Sequence, residues 1–196
     1  MGKMEEKRAQ KRRAILEAAQ EAFLSDGFLL ANMDRIAAQA QVTKQTVYRY
    51  FPSKSDLFRD TLRHMGERAG DSFLRHLQIP DTKTALEKFA IGFVKAHMSD
   101  AHLETFRLLI AESTKAPELV SAFFEVGPDD TGSTLATFFR DRLNIEDPET
   151  ALRQYTGMLL AYRTDALLGR PVPDAHALED HARTSTRWLL SAVANE

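Results

Sequence analysis

The closely spaced helix signals between residues 32 and 52 constrain the fold of this chain more than any other feature. Asn32 and Thr43 are favoured at helix N-caps, and Pro52 disfavours helical geometry for the residue before it. These signals delimit two helices of about two turns each, joined by a turn of about three residues. A longer supporting helix is predicted before them from apolar residues at helical spacing, namely Ile15, Ala18, Ala19, Ala22 and Phe23. The pattern is that of a helix-turn-helix unit, although an αα-corner without a nucleic-acid role shares it.

The ends of the neighbouring helices also have sequence signals. Gly27 is suited to the left-handed conformation that ends a helix, so the supporting helix is expected to end there. Ser53 and Asp56 form a capping-box pattern, which predicts that a fourth helix begins directly after Pro52.

The third helix, within VTKQTVYRYF from Val42 to Phe51, has two different faces. At 100° per residue, Val47 and Phe51 lie together and are expected to face the core. Gln45 and Arg49 then point outward. The flanks of this outward face consist of Lys44 and Tyr48 on one side, and Thr46 and Tyr50 on the other.

This distribution of side chains is suited to the major groove of DNA. Glutamine can hydrogen-bond to adenine and arginine to guanine, whereas lysine, threonine and tyrosine can bind the phosphates that flank the groove. Lys54, at the start of the fourth helix, adds a cation beside backbone N–H groups, where a phosphate is also favoured.

Composition places the chain among globular proteins. Its 196 residues are 43% hydrophobic and 28% charged, and no apolar run approaches the roughly 18 residues of a membrane span. The N-terminus lacks the apolar segment of a secretory signal, so a cytoplasmic protein without membrane association is expected. Cysteine is absent from the sequence, which excludes disulfides and thiolate chemistry.

The net charge of −2 hides an uneven distribution. Residues 1–60 contain 11 Lys and Arg against 8 Asp and Glu, whereas the remainder contains 15 against 20. Six of the cations lie in the first 13 residues, at Lys3, Lys7, Arg8, Lys11, Arg12 and Arg13. Such a run could contact nucleic acid, but it is equally typical of the solvated start of a helix.

The segment from Arg12 to Phe58, above all IAAQAQVTKQTVYRYFPSKSDLF, resembles the DNA-binding domain of the TetR family of bacterial transcriptional regulators. The resemblance implies a DNA-binding surface made of Thr43, Lys44, Gln45, Thr46, Tyr48, Arg49, Tyr50 and Lys54. Two positions depart from the family pattern. Gln41 stands in the turn where glycine is usual, at an expected cost of about 1 kcal/mol if its conformation is left-handed, and Gln45 replaces a glycine found in many relatives.

Beyond residue 62 helical patterns continue without a comparably specific motif. The resemblance implies an all-α chain, with an N-terminal three-helix helix-turn-helix domain at 1–58 and an α-helical ligand-binding and dimerisation domain at 59–196. The stretch HLETFRLLIAESTKAPELVSAFFEVGP is similar to AefR-like members of the family. In the family the last two long helices pair with those of a second subunit, and Leu178, Ala182, Ser185, Leu189 and Val193 are consistent with this or with ordinary core packing.

The sequence offers few candidates for other chemistry. It contains no Gly-rich phosphate loop, HExxH or GxSxG motif, and its His pairs are five apart, which places the rings on different helix faces. We therefore expect no catalytic site, metal or cofactor. Aromatic residues on the predicted helices are candidates for an apolar ligand pocket as well as for the core: Phe89, Phe93, Phe106, Phe123, Tyr155 and Tyr162.

We therefore predict a homodimeric repressor that binds a palindromic operator in double-stranded DNA and is released by an apolar or aromatic small-molecule inducer. Three alternatives stay open: a regulator of the same fold that requires its ligand for DNA binding, an all-α enzyme, and a protein-binding helical module.

Overall fold

Helices account for all of the regular secondary structure that the computed structural model describes, in residues 2–69, 72–126 and 128–194. The predicted all-α fold is confirmed. In chain order the elements are α1 (Lys3–Leu30), α2 (Met33–Gln39), α3 (Lys44–Tyr50), α4 (Lys54–Ala69), a 3₁₀ helix (Ser72–Gln78), α5 (Thr82–His97), α6 (Asp100–Glu112), α7 (Pro117–Val126), α8 (Pro128–Leu143), α9 (Pro148–Leu159), α10 (Arg163–Leu167) and α11 (Ala175–Val193).

The chain divides into two units. The first unit comprises Met1–Gly66 and Glu104–Gly127, and the second comprises Glu67–Leu103 and Pro128–Glu196. The boundary that we predicted after residue 58 therefore falls inside α4. The later segment groups with the N-terminal residues because its apolar side chains join their core, notably Leu109, Ala116, Leu119 and Ala122.

In the first unit, α1 packs against α2 and α2 packs against α3. The predicted N-caps of the two short helices are both present. Asn32 Oδ1 accepts a hydrogen bond from the Asp34 amide at 2.7 Å, and Thr43 Oγ1 accepts one from the Thr46 amide at 3.2 Å. Each cap satisfies a donor that the start of a helix leaves without a partner.

Gly27 interrupts α1 three residues before the helix ends at Leu30. Its φ of +79° and ψ of 165° are not helical, and the chain then resumes a short helical course to Leu30. We predicted that the helix would end here, and the structure has an interruption in place of an end. Only glycine adopts a positive φ at this ψ without strain.

In the second unit, α5 packs against the 3₁₀ helix and α11, while α9 packs against α8 and α11. Tyr155 of α9 is completely buried, and its hydroxyl lies 2.7 Å from Thr186 Oγ1. The helical stretch after Pro148 is interrupted after Leu159, which separates α9 from α10. The Met158 carbonyl lies 2.8 Å from His181 Nε2, and tight-turn hydrogen bonds replace helical ones from this point.

Two imidazole rings lie in contact within the second unit, where those of His97 and His102 have centroids 4.4 Å apart and are inclined at 57°. His97 Nδ1 donates to the Phe93 carbonyl, at 2.7 Å. Burial, followed by the neighbouring His102, lowers the pKa of His97 to about 3, and burial followed by Arg163 lowers the pKa of His102 to about 4. Both rings are therefore neutral at pH 7.

The turn between α2 and α3 places Gln41 in the left-handed region, with φ of 55°. The conformation expected from the glycine that relatives have at this position is thus confirmed. An L-residue with a Cβ is strained here, while glycine is not.

We expect Gln41→Gly to raise the free energy of unfolding by about 1 kcal/mol, because it removes this strain. The matched control is Ala38→Gly on the exposed side of α2, where glycine should instead lower it by about 0.5–1 kcal/mol. Urea unfolding of both variants measures the difference. A Gln41→Gly protein less stable than the original chain would show that the Gln41 side chain stabilises the turn by more than its strain costs.

Candidate nucleic-acid interface

The orientation of α3 is determined by its apolar residues. Val47 is completely buried and Phe51 is 1% exposed, and both belong to the core that α1 and α2 form. This inward orientation was predicted from the sequence and is confirmed. Since the two residues lie one turn apart on the same side, the opposite side of α3 is directed to solvent.

That solvent-directed side carries hydrogen-bonding and cationic groups. Gln45 and Arg49 lie one turn apart on it, and Lys44 and Tyr48 flank them. All four side chains are exposed, and Tyr48 retains 40% of its surface. A row of this length and composition can enter a major groove and contact base edges with its centre and phosphates with its margin.

Lys44 is already paired with an acid within the same unit. Its Nζ lies 2.9 Å from Asp34 Oδ2, and this hydrogen bond raises the pKa of Lys44. The Thr43 and Thr46 hydroxyls lie 2.9 Å apart and bond to each other. For these three residues, contact with a phosphate would compete with an existing intramolecular bond.

Tyr50 joins the end of α3 to the basic start of α1. Its hydroxyl donates to the Arg8 carbonyl at 3.4 Å, and the guanidinium groups of Arg8 and Arg49 each lie 5.9 Å from its ring centroid. Arg12 lies nearby, 5.6 Å from the Phe51 ring and 2.7 Å from Asp60. The sequence marked the N-terminal cations as a run, but their position beside α3 depends on tertiary packing.

Lys54 is half-buried and donates to two backbone carbonyls, at 3.0 Å to Leu29 and 3.1 Å to Ala31. Its Nζ also lies 4.9 Å from the Phe28 ring centroid. Burial lowers the pKa of Lys54, and the Glu112 carboxylate opposes this shift. The ammonium is therefore part of the internal structure of the first unit, and a phosphate contact from Lys54 stays a prediction.

The six candidate ligand residues are divided between the two units. Phe89, Phe93 and Tyr155 are buried in the core of the second unit, and the two phenylalanine rings stack at 5.5 Å. Tyr162 is 38% exposed there, and its ring lies 4.9 Å from that of His181. Phe106 and Phe123 belong to the first unit, where their rings meet edge to face at 5.7 Å. A ligand role for any of the six stays a prediction.

An open groove of about 400 Å³ lies between the 3₁₀ helix and α8 in the second unit. Its lining includes none of the six candidate ligand residues and consists of Leu77, Gln78, Ser133, Thr134, Thr137, Phe138, Asp141 and Arg142. The Arg142 guanidinium donates to the Ile79 carbonyl at 3.3 Å and to Thr82 Oγ1 at 3.0 Å. This cation therefore provides hydrogen-bond donors for acceptor oxygens in the segment that follows the 3₁₀ helix.

Other kinds of site were also sought in the described residues. Within them, no group of three or more His, Cys, Asp or Glu side chains is arranged to hold a metal ion. Nor does any helix of the described ranges combine the length and the apolar character required to cross a membrane.

Comparison with known proteins gives two successive family matches along the sequence. Residues 15–61 match the bacterial regulatory proteins of the tetR family, and residues 84–192 match the AefR-like transcriptional repressor C-terminal domain. The second match covers more than half of the chain.

Individual relatives agree with these matches. The chain is 42% identical over 99 residues to the HTH-type transcriptional repressor SCO4008 of Streptomyces coelicolor, an alignment that spans 50% of this chain and 47% of the relative. A structure described as a TetR-family transcriptional regulator from Mesorhizobium loti superposes with a TM-score of 0.80 at 28% identity, covering 94% of this chain and 96% of the other. The flavonoid-responsive regulator FrrA superposes with a TM-score of 0.76 at 28% identity, covering 94% and 97%.

The helix-turn-helix geometry of α2 and α3 and the two domain matches lead to one assignment. The chain belongs to the TetR family of bacterial regulatory proteins and carries a C-terminal domain of the AefR-like type.

Proposed function

We propose that this protein is a DNA-binding transcriptional repressor that is released from a palindromic operator by a small molecule. The observation that carries the proposal is the exposed row of Lys44, Gln45, Tyr48 and Arg49 on α3, held in place by the buried Val47 and Phe51. Repression is supported by the names of the matching C-terminal domain and of the Streptomyces relative.

The side chains of α3 have different tasks in this proposal. Gln45 and Arg49 form the centre of the row and recognise base edges through hydrogen bonds in the major groove. Lys44 and Tyr48, with Thr43, Thr46 and Tyr50 around them, bind phosphates and fix the position of the helix. Lys44 must exchange its ion pair with Asp34 for a phosphate, which is possible because both side chains are at least half exposed.

We expect Gln45→Ala and Arg49→Ala to reduce discrimination at particular base pairs, typically by about 1–3 kcal/mol each. Lys44→Ala should lower affinity for all sequences alike and reduce the salt slope by about one unit per subunit, since one fewer counterion is released. The measurement is binding of each variant to single-base mutants of an operator selected from genomic DNA, at several salt concentrations.

Lys83→Ala, which removes an exposed cation from the second unit, is the control for a general change in charge. Uniform weakening by Gln45→Ala and Arg49→Ala with an unchanged preference profile would mean that bases are recognised elsewhere. The cations beside Tyr50 at the start of α1 would then be the first alternative.

Dimerisation through the last helices is the second part of the proposal. Leu178, Ala182, Ser185 and Leu189 are all buried within the chain, so they belong to its own core. Trp188, on a neighbouring side of α11, is 61% exposed, with Thr184, Ser191 and Ala192 on the same face. An exposed tryptophan is typical of a surface that packs against a partner.

We expect the solution mass to be twice the 22.1 kDa of one chain and Trp188→Glu to reduce it to that of a monomer. Burying a carboxylate at the centre of a helix interface leaves it without water or a partner. Ile110→Glu is the control, because Ile110 is 58% exposed but lies on α6 in the first unit. Light scattering would exclude this interface if the Trp188→Glu protein remained a dimer at micromolar concentration.

An aromatic inducer is the third part of the proposal. The second unit contains the stacked Phe89 and Phe93 together with the neutral, partly buried His97 and His102, which combine apolar surface with hydrogen-bonding nitrogen atoms. A planar phenolic compound has the complementary combination. The flavonoid-responsive regulator FrrA, which covers nearly the whole chain, supports the same class of compound.

We expect a panel of flavonoids to weaken operator binding by about 5–150-fold at saturation, which corresponds to a coupling free energy of about 1–3 kcal/mol. Saturated fatty acids of similar size are the control for non-specific apolar binding. Flavonoids that bind tightly while leaving operator affinity unchanged would contradict ligand control without affecting the DNA-binding proposal. Stronger operator binding would instead identify a regulator that requires its ligand.

An enzymatic function has less support. The sequence lacks the catalytic motifs considered above, and TetR-family regulators are not a class of enzymes. The exposed side of α3 is also unlike a protein-binding helix, since it lacks the aliphatic anchors that such a helix would insert into a groove.

A further inference from the structure

The backbone of Leu29 is held from both sides by opposite charges in the first unit. Glu112 Oε2 accepts a hydrogen bond from the Leu29 amide at 3.2 Å. Lys54 Nζ donates to the Leu29 carbonyl at 3.0 Å and to the Ala31 carbonyl at 3.1 Å. We refer to Glu112, Leu29 and Lys54 as the Leu29 clamp.

The interruption of α1 at Gly27 explains why charges are favoured at these two places. The non-helical φ and ψ of Gly27 interrupt the helical course here, and a carboxylate accepts the hydrogen bond from the Leu29 amide. Before α2 begins, the carbonyls of Leu29 and Ala31 need donors, and the ammonium provides them. Each charge therefore lies at the end of the Leu29–Ala31 segment that it stabilises.

Gly27 also leaves the space that the carboxylate occupies. A Cβ added at Gly27 would lie 2.5 Å from Glu112 Oε1, closer than such contacts occur. The clamp and the glycine thus depend on each other, because any larger residue at position 27 would displace Glu112.

The members of the clamp come from elements with different roles. Glu112 is the last residue of α6, whose first turn, Asp100–Leu103, belongs to the second unit. Lys54 is the first residue of α4 and follows α3 after only three residues. Leu29 and Ala31 lead directly into Asn32, the N-cap of α2. The end of α6 is therefore bonded to the point where the helix-turn-helix begins.

We propose that Glu112 is a coupling residue, which through the Leu29 clamp links the position of α6 to that of the helix-turn-helix. The proposal rests on the DNA-binding function proposed above. A set of contacts that only stabilised the fold would look the same, so a test must measure whether DNA bound at α3 changes the behaviour of α6. Thermodynamic coupling is reciprocal, and DNA bound at α3 must therefore alter α6 if α6 alters DNA binding.

The test measures amide hydrogen exchange of the full chain with and without the operator fragment selected from genomic DNA. In the original protein, DNA should slow exchange at residues 108–116 by at least about fivefold, the lower end of usual coupling. In Glu112→Ala this slowing should be lost, and the Leu29 amide should exchange faster even without DNA. Glu112→Gln keeps an oxygen that accepts the Leu29 N–H but lacks the charge, so an intermediate result is expected.

Glu118→Ala is the matched control, since Glu118 is an exposed glutamate on α7 in the same unit. Retention of the full DNA-induced slowing in Glu112→Ala would overturn the proposal and leave the clamp as a set of contacts that only stabilises the fold. If that variant did not fold, Glu112→Gln would decide in the same way, with full slowing overturning the role of the charge. Failure of the original protein to bind any genomic fragment would instead refute the DNA-binding proposal itself, before any variant is compared.

Discussion

The burial of Val47 and Phe51 fixes the rotation of α3 about its axis, and the exposed row on that helix depends on it. Each side chain contributes about 1.5–3 kcal/mol when fully removed from water, so a different rotation would sacrifice a large part of the stability of so small a unit. The buried residues of α1 and α2 provide the apolar surface against which these two pack. The N-caps at Asn32 and Thr43 then limit the helices to the length that this packing accommodates.

Several cationic side chains of the first unit already have intramolecular partners. Lys44 is paired with Asp34, Arg12 with Asp60, and Lys54 with two carbonyls. Gln45 and the guanidinium of Arg49, by contrast, face solvent, and Arg49 lies beside the Tyr50 ring. The positions proposed to recognise bases are thus the ones that need not break an ion pair, whereas the proposed phosphate contact of Lys44 must do so.

The sequence predicted the local features of this fold better than the distant ones. The caps and the inward face of α3 follow from residue type and helical spacing, and the structure confirms them. The left-handed conformation at Gln41 was suggested only by the glycine usual in the family. The grouping of Glu104–Gly127 with the N-terminal residues could not be predicted, because it depends on which apolar faces meet in space. The clamp at Leu29 had no sequence signal for the same reason, since its partners lie 25 and 83 positions away. The ligand residues remain the least defined part, as aromatic side chains at helical spacing serve a core and a pocket equally well.

The discontinuous first unit has a consequence for the construction of hybrid regulators. Joining residues 1–58 or 1–66 of this chain to the sensor of another family member would leave out Glu104–Gly127. The new protein would then lack the Glu112 carboxylate that accepts the hydrogen bond from the Leu29 amide. It would also lack the ion pair of 3.2 Å between Arg59 and Glu125 and the apolar contacts of Leu119 and Ala122. A transplant that keeps the original operator preference must therefore carry two separate segments, or supply a donor α6 and α7 whose inner surfaces match those lost.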